Sequence, residues 1–211
     1  MDTLAFVLAA MNVVAPDADH TELGSAIARV VDAQPYARDE SARRQIAALV
    51  VAVAFREGSL RTHVFGDHDK RGKPHSFCTM QIHDRSGGTP ALNDDLDLCV
   101  STGLNMLRTS MRMCPSYPIA FYAEGPRGCT SRRAQRISND RVALAKWIAA
   151  AATRALESAK PSGPAEDTVP VTESPRDISS VSKSTDTPLF ARLGDHVPNK
   201  LAIDLMPVHW R

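Results

Sequence analysis

The stretch AALVVAVAFREGSLRTHVFGDHDKRGKPHSFCTMQIH, residues 47–83, decides the fold. From Ile46 to Phe55 the chain is apolar except for its alanines' small size, and it then stops on Arg56, Glu57 and Gly58. A helix that is apolar on all sides is a buried helix, and Asp39 stands in front of this one as a good N-cap. The spacing predicts a helix from Asp39 to Phe55, polar on one side early and buried in its second half. Residues 58–94 are rich in Gly, Pro, Asp, His and Ser. They predict an irregular loop with at most a small β-ribbon, its extended pieces at Thr62–Phe65 and Thr79–Ile82. A glutamate closing a buried helix is either a solvated helix end or a desolvated acid. Burial penalises the charged form of a carboxyl, the condition for a general acid that must hold a proton near neutral pH.

Outward from this stretch the pattern stays helical. Leu4, Val7, Leu8 and Met11 share one face of a first helix. The residues before it are acidic rather than basic and no A-x-A site follows, so there is no clear signal peptide. Asp19-His20-Thr21 precedes Leu23, Ala26, Ile27, Val30 and Val31, a capped amphipathic helix stopped near Gln34-Pro35. Asp94 to Met113 returns to helical period through Leu96, Val100, Gly103, Leu104 and Leu107. After CPSYP, the segment IAFYAEG reads as a short apolar turn, followed by a basic loop and a long helix from about Asn139 to Glu157. Residues 1–157 are expected to form one domain. Residues 158–187, dense in Pro, Ser and Thr, cannot bury enough apolar surface to offset ordering entropy and read as a disordered linker. Residues 188–211 regain Leu, Phe, Ile, Met and Trp and read as a docking tail.

Composition agrees with this class. Hydrophobic residues at 43% with only 5% aromatics suit an Ala-rich helical protein better than a sheet protein. A net charge of +1 argues for no nucleic-acid partner, and no run approaches the roughly 18 apolar residues of a membrane span. The window 126–146 carries Arg127, Arg132, Arg133, Arg136, Arg141 and Lys146 against Asp140 alone, either a solvated face or a surface for an anionic partner. Cys78, Cys99, Cys114 and Cys129 show no C-x-x-C spacing and fit either two disulfides or four buried thiols. His63, His68, His75 and His83 surround Cys78 and offer a zinc site as an alternative, but their spacing matches no fixed pattern and no HExxH is present. The expectation is no metal and no cofactor.

Three downstream segments give Glu57 its context. EGSL, then SFCTMQIH, then GLNML, then IAFYAEGP resemble, in order and approximate spacing, the lysozyme-like domain of soluble lytic transglycosylases and goose-type lysozymes. In that family a glutamate ending a buried helix is followed by S-x-G-L-M-Q-I, by a glycine in the next long helix, and by A-Y-N-A-G-P. The resemblance covers roughly residues 40–150. It implies a mainly α, lysozyme-like fold with a small irregular or β subdomain beside the active-site cleft, and Glu57 as the catalytic acid. Ser76, Met80, Gln81, Tyr122 and Glu124 would contact substrate. Gly58, Cys78 and Ala123 depart from the family's usual Ser, Gly and Asn, and Glu124 adds a carboxylate beside the cleft. From the order of elements, Cys78 would pair with Cys99 and Cys114 with Cys129, although four cysteines allow three pairings.

The activity implied is cleavage of the β-1,4 bond between N-acetylmuramic acid and N-acetylglucosamine in peptidoglycan. A lytic transglycosylase needs only the one glutamate; a hydrolase needs a second carboxylate, for which Asp67 and Asp69 are candidates, with Asp84 further off. Peptidoglycan glycan strands are the expected partner. The lack of a clear signal peptide points to a bacteriophage protein, carried on the virion through its tail's contact with virion proteins, or released to the cell wall or periplasm. The alternative is a structural component whose catalysis was lost through Gly58, Cys78 and Ala123.

Overall fold

The computed structural model describes residues 2–159. Six helices and three very short strands follow in the order α1 (Thr3–Val14), α2 (Thr21–Asp32), α3 (Glu40–Gly58), β1 (Phe65–Gly66), β2 (Ser76–Phe77), β3 (Ile82–His83), α4 (Leu96–Met113), α5 (Ala120–Glu124) and α6 (Arg132–Ser158). The fold is mainly helical with a small antiparallel sheet, as the sequence predicts. None of these helices is long and apolar enough to cross a membrane.

Helix α3 is the centre. Asp39 caps it by accepting from the Ala42 amide at 2.7 Å, and α1, α2 and α6 all pack on it. Val50, Val51, Ala52, Val53 and Ala54 are wholly buried, so the helix has no solvent face over this length. Helix α1 contributes Phe6, Val7, Ala10 and Met11 to the same core, with Asp2 as its N-cap. The long α4 adds Val100, Leu104 and Leu107.

Between α3 and α4 the strands lie in the order β1-β2-β3, with Phe65 opposite Phe77, and Ser76 opposite His83. Here the expectation is corrected. Thr62–Val64 are not in a strand, and Thr79–Gln81 form the turn joining β2 to β3. The reason is conformational: Cys78 and Gln81 have φ of 58° and 48°, which the extended conformation excludes. A second correction concerns α6, which begins at Arg132 rather than near Asn139. Ser131 caps it by accepting from the Ala134 amide, and Ala134 and Ser138 are the buried positions of its first turns. Arg132, Arg133 and Arg136 are therefore exposed helical residues, not a basic loop. IAFYAEG is the short helix α5 with a 3₁₀ turn after it.

Both disulfides form, Cys78–Cys99 and Cys114–Cys129, and no cysteine is free among the described residues. The first ties the β2–β3 turn to α4 and the second closes the segment from α4 to α6. Helix α6 ends at Ser158, one residue past the predicted domain boundary. The remainder of the predicted linker and the whole predicted tail lie outside the described residues.

Candidate active site

Glu57 occupies the last turn of α3. The helix ends abruptly: the Ser59 amide donates to Phe55 O and the Leu60 amide to Ala54 O, and both residues have positive φ. These bonds satisfy carbonyls that the helix end leaves free and reverse the chain after the glutamate. Gly58 lets the turn at Thr79 close against this helix end, because a Cβ there would lie 2.7 Å from Thr79 O and 2.8 Å from Thr79 Cα. No residue with a side chain fits at this position without displacing Thr79.

The turn behind Gly58 is held by directional contacts. Asn93 Oδ1 accepts from the Cys78 amide at 3.1 Å and from the Val64 amide at 2.9 Å. Gln81 donates its side-chain amide to Cys78 O at 2.9 Å. Its Oε1 lies over Gly66, only 1.9 Å from where a Cβ at that position would stand. Met80 is fully buried and packs on α4 at Gly103, where a Cβ would come within 2.7 Å of its Cε. The backbone carbonyl of Met80 accepts a short hydrogen bond from the Tyr122 hydroxyl of α5. Burial of that phenol, and next the Glu57 charge, push the Tyr122 pKa far above its ordinary range, with Arg141 opposing.

Arg141 of α6 is the residue that sequence reasoning missed. Its Nη2 lies 2.6 Å from Glu57 Oε1, the two side chains being only 12% and 22% exposed. One residue earlier on each helix, Arg56 pairs with Asp140 at 2.9 Å, here with 42% and 49% exposure. Asp140, the lone acid of the basic window, is thereby accounted for. The two members of each pair stand 84 positions apart, and nothing in the periodicity of either helix announces the contact.

Tyr122 also borders a hollow of about 310 Å³ with Phe121, Met106, Ser86, Thr102 and Asn105. Aromatic and thioether surface beside hydroxyls and an amide suits a ligand that is apolar on one face and hydroxylated at its edges. Of the other predicted substrate residues, Ser76 is buried and donates its hydroxyl to Asp67, and Met80 is a packing residue. Both are placed to shape the turn rather than to touch a ligand. Glu124 lies 3.7 Å from Arg133 of α6 and does not line this hollow. Ala123 packs partly buried beside the cluster of Cys114, Ala120 and Ala134.

The candidate second carboxylates are occupied. Asp69 accepts from the Lys73 and Arg71 amides at 2.9 and 2.8 Å, which hold its carboxyl below the usual carboxylate range. It closes a turn, the ordinary use of Asp beside Gly. Asp67, with φ of 49°, accepts from Ser76. Asp84 accepts from His75 Nδ1 at 2.6 Å, a bond that lowers its pKa first among several causes. The zinc alternative loses its thiolate, since Cys78 is bonded to Cys99. Among the described residues no three His, Cys, Asp or Glu side chains are grouped to hold a metal ion.

No family model matches the chain, and neither a curated protein nor a solved structure is found similar to it.

Proposed function

We propose that the protein is a peptidoglycan-cleaving glycosidase of lysozyme-like type in which Glu57 is the proton donor. The observation that carries this reading is convergence. Four segments widely spaced in the sequence meet around one point: Gly58 against Thr79, Met80 against Gly103, and Tyr122 against Met80 O within the field of Glu57. These are the segments whose order resembles the transglycosylase motifs.

The reaction follows from the chemistry of a carboxylic acid beside an acetal. Protonated Glu57 gives its proton to the glycosidic oxygen as the bond to C1 of N-acetylmuramic acid breaks and positive charge develops there. In the transglycosylase ending the C6 hydroxyl of the same sugar bonds to C1 and returns its proton to Glu57, so that no water is consumed. The engagement of Asp67, Asp69 and Asp84 in loop hydrogen bonds favours this one-carboxylate ending over hydrolysis. Action on the bacterial wall, from a phage particle or after release, belongs to the same proposal.

Zymography on purified cell walls, with mass spectrometry of the products, tests it. Glu57→Gln keeps the shape of the side chain and cannot donate the proton, so clearing should fall by about 10²–10⁴-fold. The wild type should leave 1,6-anhydro ends. Clearing by the variant at the wild-type rate would remove Glu57 from the mechanism. An inactive wild type on several wall types would favour a structural component instead.

A further inference from the structure

We propose that Arg141 is the positioning residue for Glu57, fixing which carboxyl oxygen transfers the proton and opposing the charge that appears when it leaves. The inference rests on the glycosidase reading and adds to it a residue outside all four motifs.

The chemistry begins with what a guanidinium lacks. Arginine has donors and no acceptor, so the oxygen facing Arg141 Nη2 at 2.6 Å must accept. Glu57 Oε1 cannot carry a proton toward that contact, and the proton on the acid belongs to Oε2. In the first step it passes from Oε2 to the leaving oxygen as the C1–O bond breaks. In the second Oε2 takes the proton of the C6 hydroxyl as O6 bonds to C1. Arg141 gains and loses no proton in either step, and stays beside the carboxylate that the first step leaves. A fixed positive charge beside a group that becomes negative is electrostatic preorganisation.

The surroundings argue against a purely structural pair. One residue away on each helix, Arg56 and Asp140 link the same two helices at the surface, open to solvent. Arg141 is instead largely buried, and its Nε is buried without a hydrogen-bond partner. Its Nη1 reaches back to Ile137 O at 3.4 Å, which anchors the side chain to its own helix. An unpaired buried donor is a cost that a surface pair avoids.

The test compares wild type, Glu57→Gln, Arg141→Gln, Arg141→Lys and Arg56→Gln on a soluble peptidoglycan fragment, with folding checked by near-ultraviolet circular dichroism. Arg141→Gln keeps a donor and removes the charge: kcat should fall about 10²-fold with KM within about twofold of wild type. Arg141→Lys should recover part of the loss, and Arg56→Gln should match the wild type in kcat. A folded Arg141→Gln with wild-type kcat, or one changed in KM alone, overturns the role of Arg141 while leaving Glu57 in place. If Arg141→Gln does not fold, Arg141→Lys decides: a lowered kcat at unchanged KM supports the role, and wild-type kcat overturns it. A wild type without activity, or an active Glu57→Gln, overturns the glycosidase reading and this inference with it.

Discussion

Along the second half of α3, order comes from apolar side chains buried on every side and from the helix's own hydrogen bonds. From Ser59 to Asn93 buried Leu60, Phe77, Met80 and Ile82 are joined by many directional links, among them a disulfide, the side-chain amides of Asn93 and Gln81, the Tyr122 phenol and the bonds of Asp67, Asp69 and Asp84. All five non-glycine residues with positive φ among the described residues fall in this second region. Burial energy is spread over many atoms and degrades gradually, whereas a strained backbone persists only while the contacts around it over-determine its shape. The two regions meet at Glu57, which therefore has a rigid support on one side and a tensioned one on the other.

The largest break in this contrast should come from the disulfides. Cys78→Ser with Cys99→Ser opens a loop of 21 residues and should cost about 3 kcal/mol in urea unfolding. Removing Cys114–Cys129, separated by 15 residues, should cost a similar amount. Only the first should also abolish the proposed glycan cleavage, because it frees the turn behind Glu57. Equal losses of activity from the two would erase the distinction between the regions.

A smaller effect is expected at two glycines. Gly58→Ala drives a methyl into the backbone of Thr79 and should cost about 1–3 kcal/mol. Gly24→Ala, inside α2, meets only the flexible end of Leu8 at 2.7 Å and gains helix propensity. Thermal melts should rank Gly58→Ala well below Gly24→Ala; the reverse order would deny the segment its close tolerance.

The smallest effect belongs to Tyr122→Phe, which removes one hydrogen bond and should cost about 1 kcal/mol at neutral pH. The contribution falls as pH rises. The folded phenol is raised above the ordinary value near 10, so the unfolded chain ionises first as pH rises. The contribution is whole below about pH 10 and is lost above it. Unfolding midpoints of wild type and variant, compared from pH 8 upward, should converge on the alkaline side, and parallel curves would contradict the buried environment of Tyr122.

Much of the helical frame was legible because it follows two local rules, apolar period and capping. Asp39 marks the start of α3, while its end lies at Gly58, three residues past the apolar run that closes at Phe55. The start of α6 was hidden because its buried positions are Ala134 and Ser138, small and partly polar, among four arginines. Ser131 followed by Ala134 was the available signal. The turn at Cys78–Gln81 was not legible, since its left-handed residues are neither Gly nor Asn and are held by Asn93 and Cys99 at Cys78 and by the amides of Gln81 on Cys78 O. Of the candidate site, the order of motifs singled out Glu57 and Tyr122, while Arg141 had no local signature because its partner is on another helix.

The adjacent pairs Arg56–Asp140 and Glu57–Arg141 work as a parity check on helix docking. Read along α3 the signs are plus then minus, and along α6 minus then plus. A slip of α6 by one position would set Arg56 against Arg141 or Glu57 against Asp140, like against like. Such juxtapositions are unfavourable, and most so where solvent is excluded. The chain thus rejects the near-miss arrangements that its smooth, Ala- and Val-rich helix surfaces would otherwise tolerate, and does so at the residue proposed as the proton donor.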